Sequence, residues 1–316
     1  MTIDSRLIVV AIGGNAVYPP DIKGTADEQL TVIAGACERL VRVLQAGYRV
    51  VLTHGNGPVV GNILFRMART SRELAPMPMD VCVAHSQGGM GYMLQQTLAN
   101  VLAQHGITRP VTSLVTQVEV DANDPAFANP TKPVGKFVSK EEADRITAET
   151  GWQFVEDSGR GWRRVVPSPL PRRILDTAAL KALLAADVIP ITCGGGGIPV
   201  VADAKGGLSG VPAVIDKDMT SALLAAEIGA GVLVMLTGVE RVALDFGKPS
   251  ERQIDRMSAD EARAHLADGQ FPPGSMGPKI TAALDYLARG GKEALITSLE
   301  RLDDALAGRA GTRITK

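Results

Sequence analysis

Four glycine-bearing stretches hold the residues best suited to chemistry: Gly13-Gly14-Asn15, His54-Gly55-Asn56-Gly57-Pro58, Gly194-Gly195-Gly196-Gly197, and Gly274-Ser275-Met276-Gly277 followed by Pro278-Lys279. Glycine accepts positive φ and lets backbone N–H groups approach an anion, so loops of this kind cradle phosphates. One Gly-Gly pair is equally an ordinary turn, and four consecutive glycines are equally a flexible corner. Recurrence of such loops after apolar runs is what points to an anion. Asp216-Lys217-Asp218 opens a helical stretch, Met219 to Ile228, with Asp216 in the N-cap position. Alone, it reads as a capped helix with a surface lysine as readily as a catalytic cation. Lys279 stands at another helix start, where its charge opposes the helix dipole unless an anion is near.

Several chemistries are excluded. Neither Gly-x-x-x-x-Gly-Lys-Ser/Thr nor a Gly-x-Gly-x-x-Gly after the first apolar run occurs, so both common nucleotide fingerprints are missing. His85, His105 and His265 lack metal-ligand spacing, so no protein-held metal is expected. His54 is better placed to shape its loop than to act as a base, and no Gly-x-Ser-x-Gly elbow supports a serine hydrolase. Thirty-three Lys+Arg against 34 Asp+Glu give a formal charge of −1, without the basic excess that nucleic-acid binding requires. Three cysteines with no C-x-x-C pair suggest a reducing, cytoplasmic setting, and the N-terminus has no long apolar signal region.

The elements that must position these loops follow from hydrophobic patterning in a 316-residue chain of mean hydropathy +0.10. Leu7 to Ile12 is an almost wholly apolar run, as expected of a strand buried on both faces. Arg49 to Thr53, Val111 to Thr116, Val188 to Cys193, Gly231 to Leu236 and Glu293 to Thr297 repeat it, with helix-length segments such as Asp27 to Gln45 and Ser258 to Asp268 between them. Alternation of this kind predicts an α/β fold with a mostly parallel sheet between helical layers, and ligands at the carboxyl ends of its strands. Val81 to Thr108 has no charged residue, yet Ser86, Gln87, Gln95, Gln96, Asn100 and Gln104 make it too polar for a membrane. A helix buried in protein, or at a subunit interface, is expected there. Residues 121–166 break the pattern and hold both tryptophans, which predicts either a small lid or a surface insertion.

Together these blocks resemble the carbamate kinases of the amino acid kinase family over nearly the whole chain. The resemblance rests on Ala11-Ile12-Gly13-Gly14-Asn15-Ala16, Thr53 to Pro58, Ser86-Gln87-Gly88, Asn123 to Phe127, Pro130-Thr131-Lys132-Pro133, Gly159-Arg160-Gly161-Trp162-Arg163-Arg164, Gly194 to Val200, Ala213 to Asp218 and Gly274 to Lys279. It implies a three-layer αβα sandwich with a mostly parallel open sheet and a small protruding subdomain. Residues 1–186 would form the carbamate- and carbamoyl-phosphate-binding half, carrying the lid at about 121–166, and residues 187–316 the nucleotide-binding half, on one continuous sheet. It implies a homodimer and reversible phosphoryl transfer between ATP and carbamate, with Mg²⁺ carried by ATP or ADP. The expected physiological direction makes ATP during arginine, agmatine or purine-nitrogen breakdown. A same-fold kinase for another small acid and a non-catalytic nucleotide or carbamoyl phosphate sensor are the alternatives.

The resemblance also implies residue roles. Lys132, Lys217, Asp218 and Lys279 would be catalytic, with Asp218 spacing the two helix-start lysines and Lys132 replacing a first-strand lysine that Ala11 and Ile12 cannot supply. Gly13, Gly14, Asn15, Gly55, Asn56, Gly57 and Ser86 would hold the small substrate. Gly194, Gly195, Gly196, Gly197, Thr237, Gly238, Met276 and Gly277 would hold the nucleotide. The chain departs from the family pattern at Gly238, where an Asp is usual, at Ala243, where a Tyr is usual, and at Val59 and His85.

Overall fold

The computed structural model describes residues 3–14, 17–19, 22–157 and 159–316. Its centre is the strand Asp4–Ile12, whose side chains alternate between two cores. Leu7, Val9 and Ala11 enter one cluster, and Ile8, Val10 and Ile12 enter the other. Period-two alternation into two apolar layers explains why the sequence shows an unbroken apolar run. The sheet has eight strands in the order Arg256–Ser258, Thr312–Thr315, Glu293–Ser298, Ala230–Thr237, Asp4–Ile12, Arg49–His54, Ile189–Ile191 and Val111–Ser113. All neighbours are parallel except Glu293–Ser298 with Thr312–Thr315.

Helices Ala26–Gln45 and Met79–Gln104 cover one face through residues such as Leu40, Leu44, Leu94 and Leu98. Thr177–Ala185, Lys217–Ile228, Ala259–Ala267 and Met276–Ala288 cover the other. The first of these helices starts where the sequence demands it. Thr25 accepts the Glu28 backbone N–H while Glu28 reaches back to the Thr25 backbone, a reciprocal cap. The uncharged stretch of Met79–Gln104 is half buried and leaves Tyr92 59% exposed. No helix among the described residues is long and apolar enough to cross a membrane.

Three expectations need correction. The strands at Val111 to Thr116 and Val188 to Cys193 are shorter, because Thr116 bonds Thr192 through its hydroxyl and receives the Cys193 N–H, and Cys193 turns into φ +50°. Side-chain hydroxyls there take over from the sheet ladder. The Gly274 loop follows helix Ala259–Ala267 rather than a strand, its approach being broken by Pro272 and Pro273, which cannot donate to a ladder. A four-stranded sheet of Leu208–Gly210, Ile198–Ala202, Gln117–Val120 and Pro171–Ile174 had no counterpart in the sequence reading. Its strands run for only three to five residues and are partly exposed, and the one apolar run among them, Ile198–Ala202, contains Pro199, so they lack the signature of a long buried strand.

Antiparallel pairing of Gln117–Val120 with Pro171–Ile174 forms a stem from which the irregular segment projects. That segment folds as a three-stranded sheet, Lys132–Val138, Trp162–Val166 and Gln153–Glu156, with helix Lys140–Thr150. It docks on helix Gly57–Thr70 and helix Met79–Gln104 through Val60, Leu64, Cys82, Val83, Val134 and Val166. Gly61 and Gly135 make the contact close. A Cβ at Gly61 would lie 2.0 Å from the Gly135 Cα and N, and Gly135 itself has φ +78°. Gly61→Ala must therefore push strand from helix, with a destabilisation of about 1–3 kcal/mol in urea unfolding and a red shift in tryptophan emission from the displaced subdomain. An alanine variant of parental stability and emission would show that this backbone contact is not made.

Candidate active site

Four strand ends lie side by side at the carboxyl edge of the main sheet, in the order Thr237, Ile12, His54 and Ile191. Their loops therefore meet. Gly13 leaves its strand with room for no more than a tight Cβ, 3.3 Å from the Leu236 carbonyl oxygen. Gly55 donates its N–H to the Ile12 carbonyl at 2.9 Å, and a Cβ on it would lie 2.7 Å from the Gly14 N and 3.4 Å from the Lys217 side chain. Only glycine fits between the first two loops and the lysine above them. Asn15 lies outside the described residues.

Asn56 is the N-cap of helix Gly57–Thr70, with Gly57 and Pro58 opening the first turn, but its side chain does not cap. Its amide donates instead to Ser86 Oγ at 2.7 Å, and Ser86 donates to the Val83 carbonyl at 2.6 Å. Ser86 thus holds Asn56. Among the described residues no side chain caps this helix N-terminus, a setting that favours an anion. Helix Met276–Ala288 likewise has no side-chain cap, and Lys279 lies in its first turn.

The tetraglycine turn packs beside the Asn56 loop. A Cβ at Gly194 would meet His54 Nε2 at 2.4 Å, one at Gly195 the Asn56 amide at 2.0 Å, one at Gly196 the Ile215 carbonyl oxygen at 2.4 Å, and one at Gly197 the Val118 side chain at 2.3 Å. Gln87, to which the sequence assigns no place in the site, ties this turn down. It donates to the Thr116 and Gly194 carbonyls, each at 3.1 Å, and accepts the Thr116 N–H at 2.8 Å. Its signal was its place beside Ser86 in the stretch from Val81 to Thr108, which has no Asp, Glu, Lys or Arg. His54 is 1% exposed, its Nδ1 lies 3.2 Å from the Gly55 carbonyl oxygen, and burial pushes its pKa down to about 4, with the Lys217 charge adding to the effect against the Gly55 bond. It is a neutral loop former. Thr237 ends its strand half buried, Gly238 has open space where a side chain would stand, and Met276 and Gly277 begin the Lys279 helix.

Above these loops lies the charge cluster. Lys217 Nζ donates to Asp218 Oδ1 at 2.6 Å, and Lys279 Nζ to Asp218 Oδ2 at 2.7 Å. Asp218 is 5% exposed. Burial alone would raise its pKa, but the two ammonium groups hold it well below the usual carboxylate range. Burial brings Lys217 down to about 8, against the pull of Asp218, whereas Asp218 overcomes burial at Lys279 and raises it. Lys132, from the projecting subdomain, is paired with Asp216, the cap of the Lys217 helix. Three ammonium groups thus face two carboxylates and leave one net positive charge at the loops. Beneath them, Thr53 and Ser221 share a hydrogen bond of 2.7 Å and Thr220 donates to the Gly196 carbonyl at 2.8 Å, fixing the helix to the sheet.

A phosphoryl-transfer site requires donors for an anion and cations preorganised around it. Residues 6–298 match the model of the amino acid kinase family. The chain belongs to that family. Within it the chain groups with the carbamate kinases: it is 48% identical to the carbamate kinase-like protein YahI of Escherichia coli over 98% of this chain and 99% of that one. It is 44% identical to a carbamate kinase of Lentilactobacillus hilgardii, over 98% of each chain. The carbamate kinase of Giardia lamblia bound to AMP-PNP superposes with a TM-score of 0.90 at 42% identity, covering 99% of both chains.

Asp218→Asn leaves two buried ammonium groups without their shared counter-charge. Its cost should be about 3–5 kcal/mol in urea unfolding at neutral pH. Because the folded-state pKa of Asp218 is lowered, its contribution to stability is full above its unfolded pKa and disappears as pH falls through the folded value. The Asn variant should lose that part of the acid dependence, and a variant as stable and as acid-sensitive as the parent would contradict the arrangement.

Proposed function

We propose that the protein is a carbamate kinase that moves a phosphoryl group reversibly between ATP and carbamate, working chiefly from ADP and carbamoyl phosphate towards ATP. One observation carries this reading: Lys132, Lys217 and Lys279 converge, through Asp216 and Asp218, above glycine loops at the carboxyl edge of the sheet. Carbamate is already an anionic nucleophile, so the transfer needs cations to stabilise charge on the moving group more than it needs a base. The burial of neutral His54 behind its loop agrees with a reaction without an imidazole base.

In this reading Gly13, Gly14, Asn15, Gly55, Asn56 and Gly57 hold the carbamoyl phosphate end by backbone and amide donors, with Ser86 acting through Asn56. Residues 1–186 form this half. Residues 187–316 take the nucleotide, with Thr237, Gly238, Met276 and Gly277 beside Lys279, and Gly194 to Gly197 stand between the two ligands. Lys217 and Lys279 flank the transferred group, Asp218 sets their spacing, and Lys132 brings a third charge from the lid.

Among the described residues no three His, Cys, Asp or Glu side chains come together, and both site aspartates are engaged by lysines. These residues fit Mg²⁺ carried on the nucleotide phosphates, where it would neutralise phosphate charge. The uncharged exposed face of helix Met79–Gln104, with His85, Gly88, Tyr92 and Gln96, suits a homodimer contact. All three cysteines are buried and free, which agrees with a reducing cytoplasm, and breakdown of arginine, agmatine or purine nitrogen is the proposed setting.

Purified protein given ADP, Mg²⁺ and carbamoyl phosphate should form ATP, and omission of Mg²⁺ should abolish it. Lys132→Ala should lower kcat by about a hundredfold, the scale of losing one preorganised charge at a transition state, with a smaller change in KM. A kcat within about twofold of the parent would remove the lysine from catalysis. The alkaline limb of kcat/KM should fall near pH 8, where free Lys217 loses its proton. The limb of kcat should lie higher, because a bound phosphate favours the ammonium form.

A second reading, a kinase for another small acid, is favoured by one fact. The 48% relative is named carbamate kinase-like. ATP formation from acetyl phosphate or another acyl phosphate, with none from carbamoyl phosphate, would select it.

A further inference from the structure

We propose that Asp216 is the positioning residue that docks the lid lysine, a role that rests on Lys132 being the third cation of the transfer site. Its two oxygens do different work. Oδ1 accepts the backbone N–H groups of Asp218 at 2.9 Å and Met219 at 3.3 Å, and so caps helix Lys217–Ile228. Oδ2 takes the Nζ of Lys132, the first residue of the lid strand Lys132–Val138. One side chain therefore fixes both the helix that carries Lys217 and Asp218 and the strand that carries Lys132.

The cap alone does not account for a carboxylate here. Asn and Ser cap as well as Asp does, and a second negative charge beside cations that must receive phosphate opposes anion binding. Lys132 supplies the reason for the charge. The pair is partly buried, with 33% of the lysine and 18% of the aspartate side chain exposed, so the ammonium group is held but can still turn to a bound phosphoryl group. Around it, Asp218 is fully engaged by Lys217 and Lys279, which leaves Asp216 as the carboxylate available to the lid. The lid sheet is held on its other side by Val134 and Val166 against helices Gly57–Thr70 and Met79–Gln104. Freed from Asp216, the long side chain of Lys132 keeps its strand but loses its aim.

The two functions separate in one comparison. Asp216→Asn keeps a capping acceptor and removes the partner of Lys132, whereas Asp216→Ala removes both. The Asn variant should melt within about 1 °C of the parent, and the Ala variant at least about 2 °C lower. With ADP and carbamoyl phosphate, Asp216→Asn should lower kcat by about tenfold or more while KM stays within about threefold, as expected when a catalytic group is misplaced rather than lost. In a Lys132→Ala background the same change should remove less than about a further twofold, since the two residues act as one unit. Independently of turnover, competitive amine acylation followed by peptide mass spectrometry should show Lys132 labelled about two- to fivefold faster in Asp216→Asn, with Lys140 of the same subdomain unchanged.

Parental kcat in Asp216→Asn, or an equal loss with and without Lys132, would overturn the proposal by showing that Asp216 acts only on its own helix. Unchanged Lys132 labelling would overturn it as well. If the parent makes no ATP from carbamoyl phosphate but the labelling rises as stated, the docking role stands and the functional reading of the site falls.

Discussion

The site depends on a single carboxylate shared by two buried ammonium groups. Asp218, nearly sealed from water, would be an expensive group to bury alone, and so would Lys217 and Lys279. Together they are stable in one geometry, because each oxygen of the carboxylate takes one lysine. The spacing of the two cations is thus set by the width of a carboxylate rather than by long side chains finding their own positions. Charge that must be ready before the reaction is held there at the expense of local stability, which the packed helices Lys217–Ile228 and Met276–Ala288 supply through Leu223, Leu224, Ile280 and Ala283.

Around that centre, backbone loops are placed by buried hydroxyls and amides. Thr53 with Ser221, Thr116 with Thr192, Thr220 with Gly196 and Gln87 with Gly194 stitch strand ends and helix starts across the buried floor of the site. Buried polar networks of this type give rigidity only when their members are satisfied. Here the loops themselves have little side chain to hold them, because glycine is needed for close approach at Gly55 and for positive φ at Gly195. The tethers make up for that freedom.

Much of this was legible in the sequence because it obeys short-range rules. Leu7 to Ile12 shows its two-faced burial in composition alone, and the helix start at Asp216 follows from side-chain capping. Lys132 was identified by motif resemblance, since nothing local in Pro130 to Pro133 announces a cation at a site formed more than eighty positions later. The partnership of Lys132 with Asp216 was not legible at all. It depends on a subdomain stem, Gln117–Val120 with Pro171–Ile174, whose strands of four residues each are too short for a hydrophobic period to stand out from the chain around them. The role of Gln87 was hidden for a related reason: a buried amide in a helix looks like any polar residue until its three hydrogen bonds, to Thr116 and Gly194, are known.

The strand order has a consequence for how the chain reaches this state. Asp4–Ile12 pairs on one side with Arg49–His54, which follows it closely in the chain, but its other neighbour is the distant Ala230–Thr237. During synthesis one edge of this strand, apolar from Leu7 to Ile12, waits for residues that emerge much later, and loop closure of that length is slow compared with local helix formation. The nascent chain therefore passes through a stage with an open, aggregation-prone edge, of the kind that chaperones shield. Helices Ala26–Gln45 and Met79–Gln104, which belong to the early part of the chain, can cover one face of that strand at once, while the helices that cover the other face are still to come. The same central position that gives the strand a neighbour on each side in the finished enzyme leaves one of those sides open while the enzyme is being built.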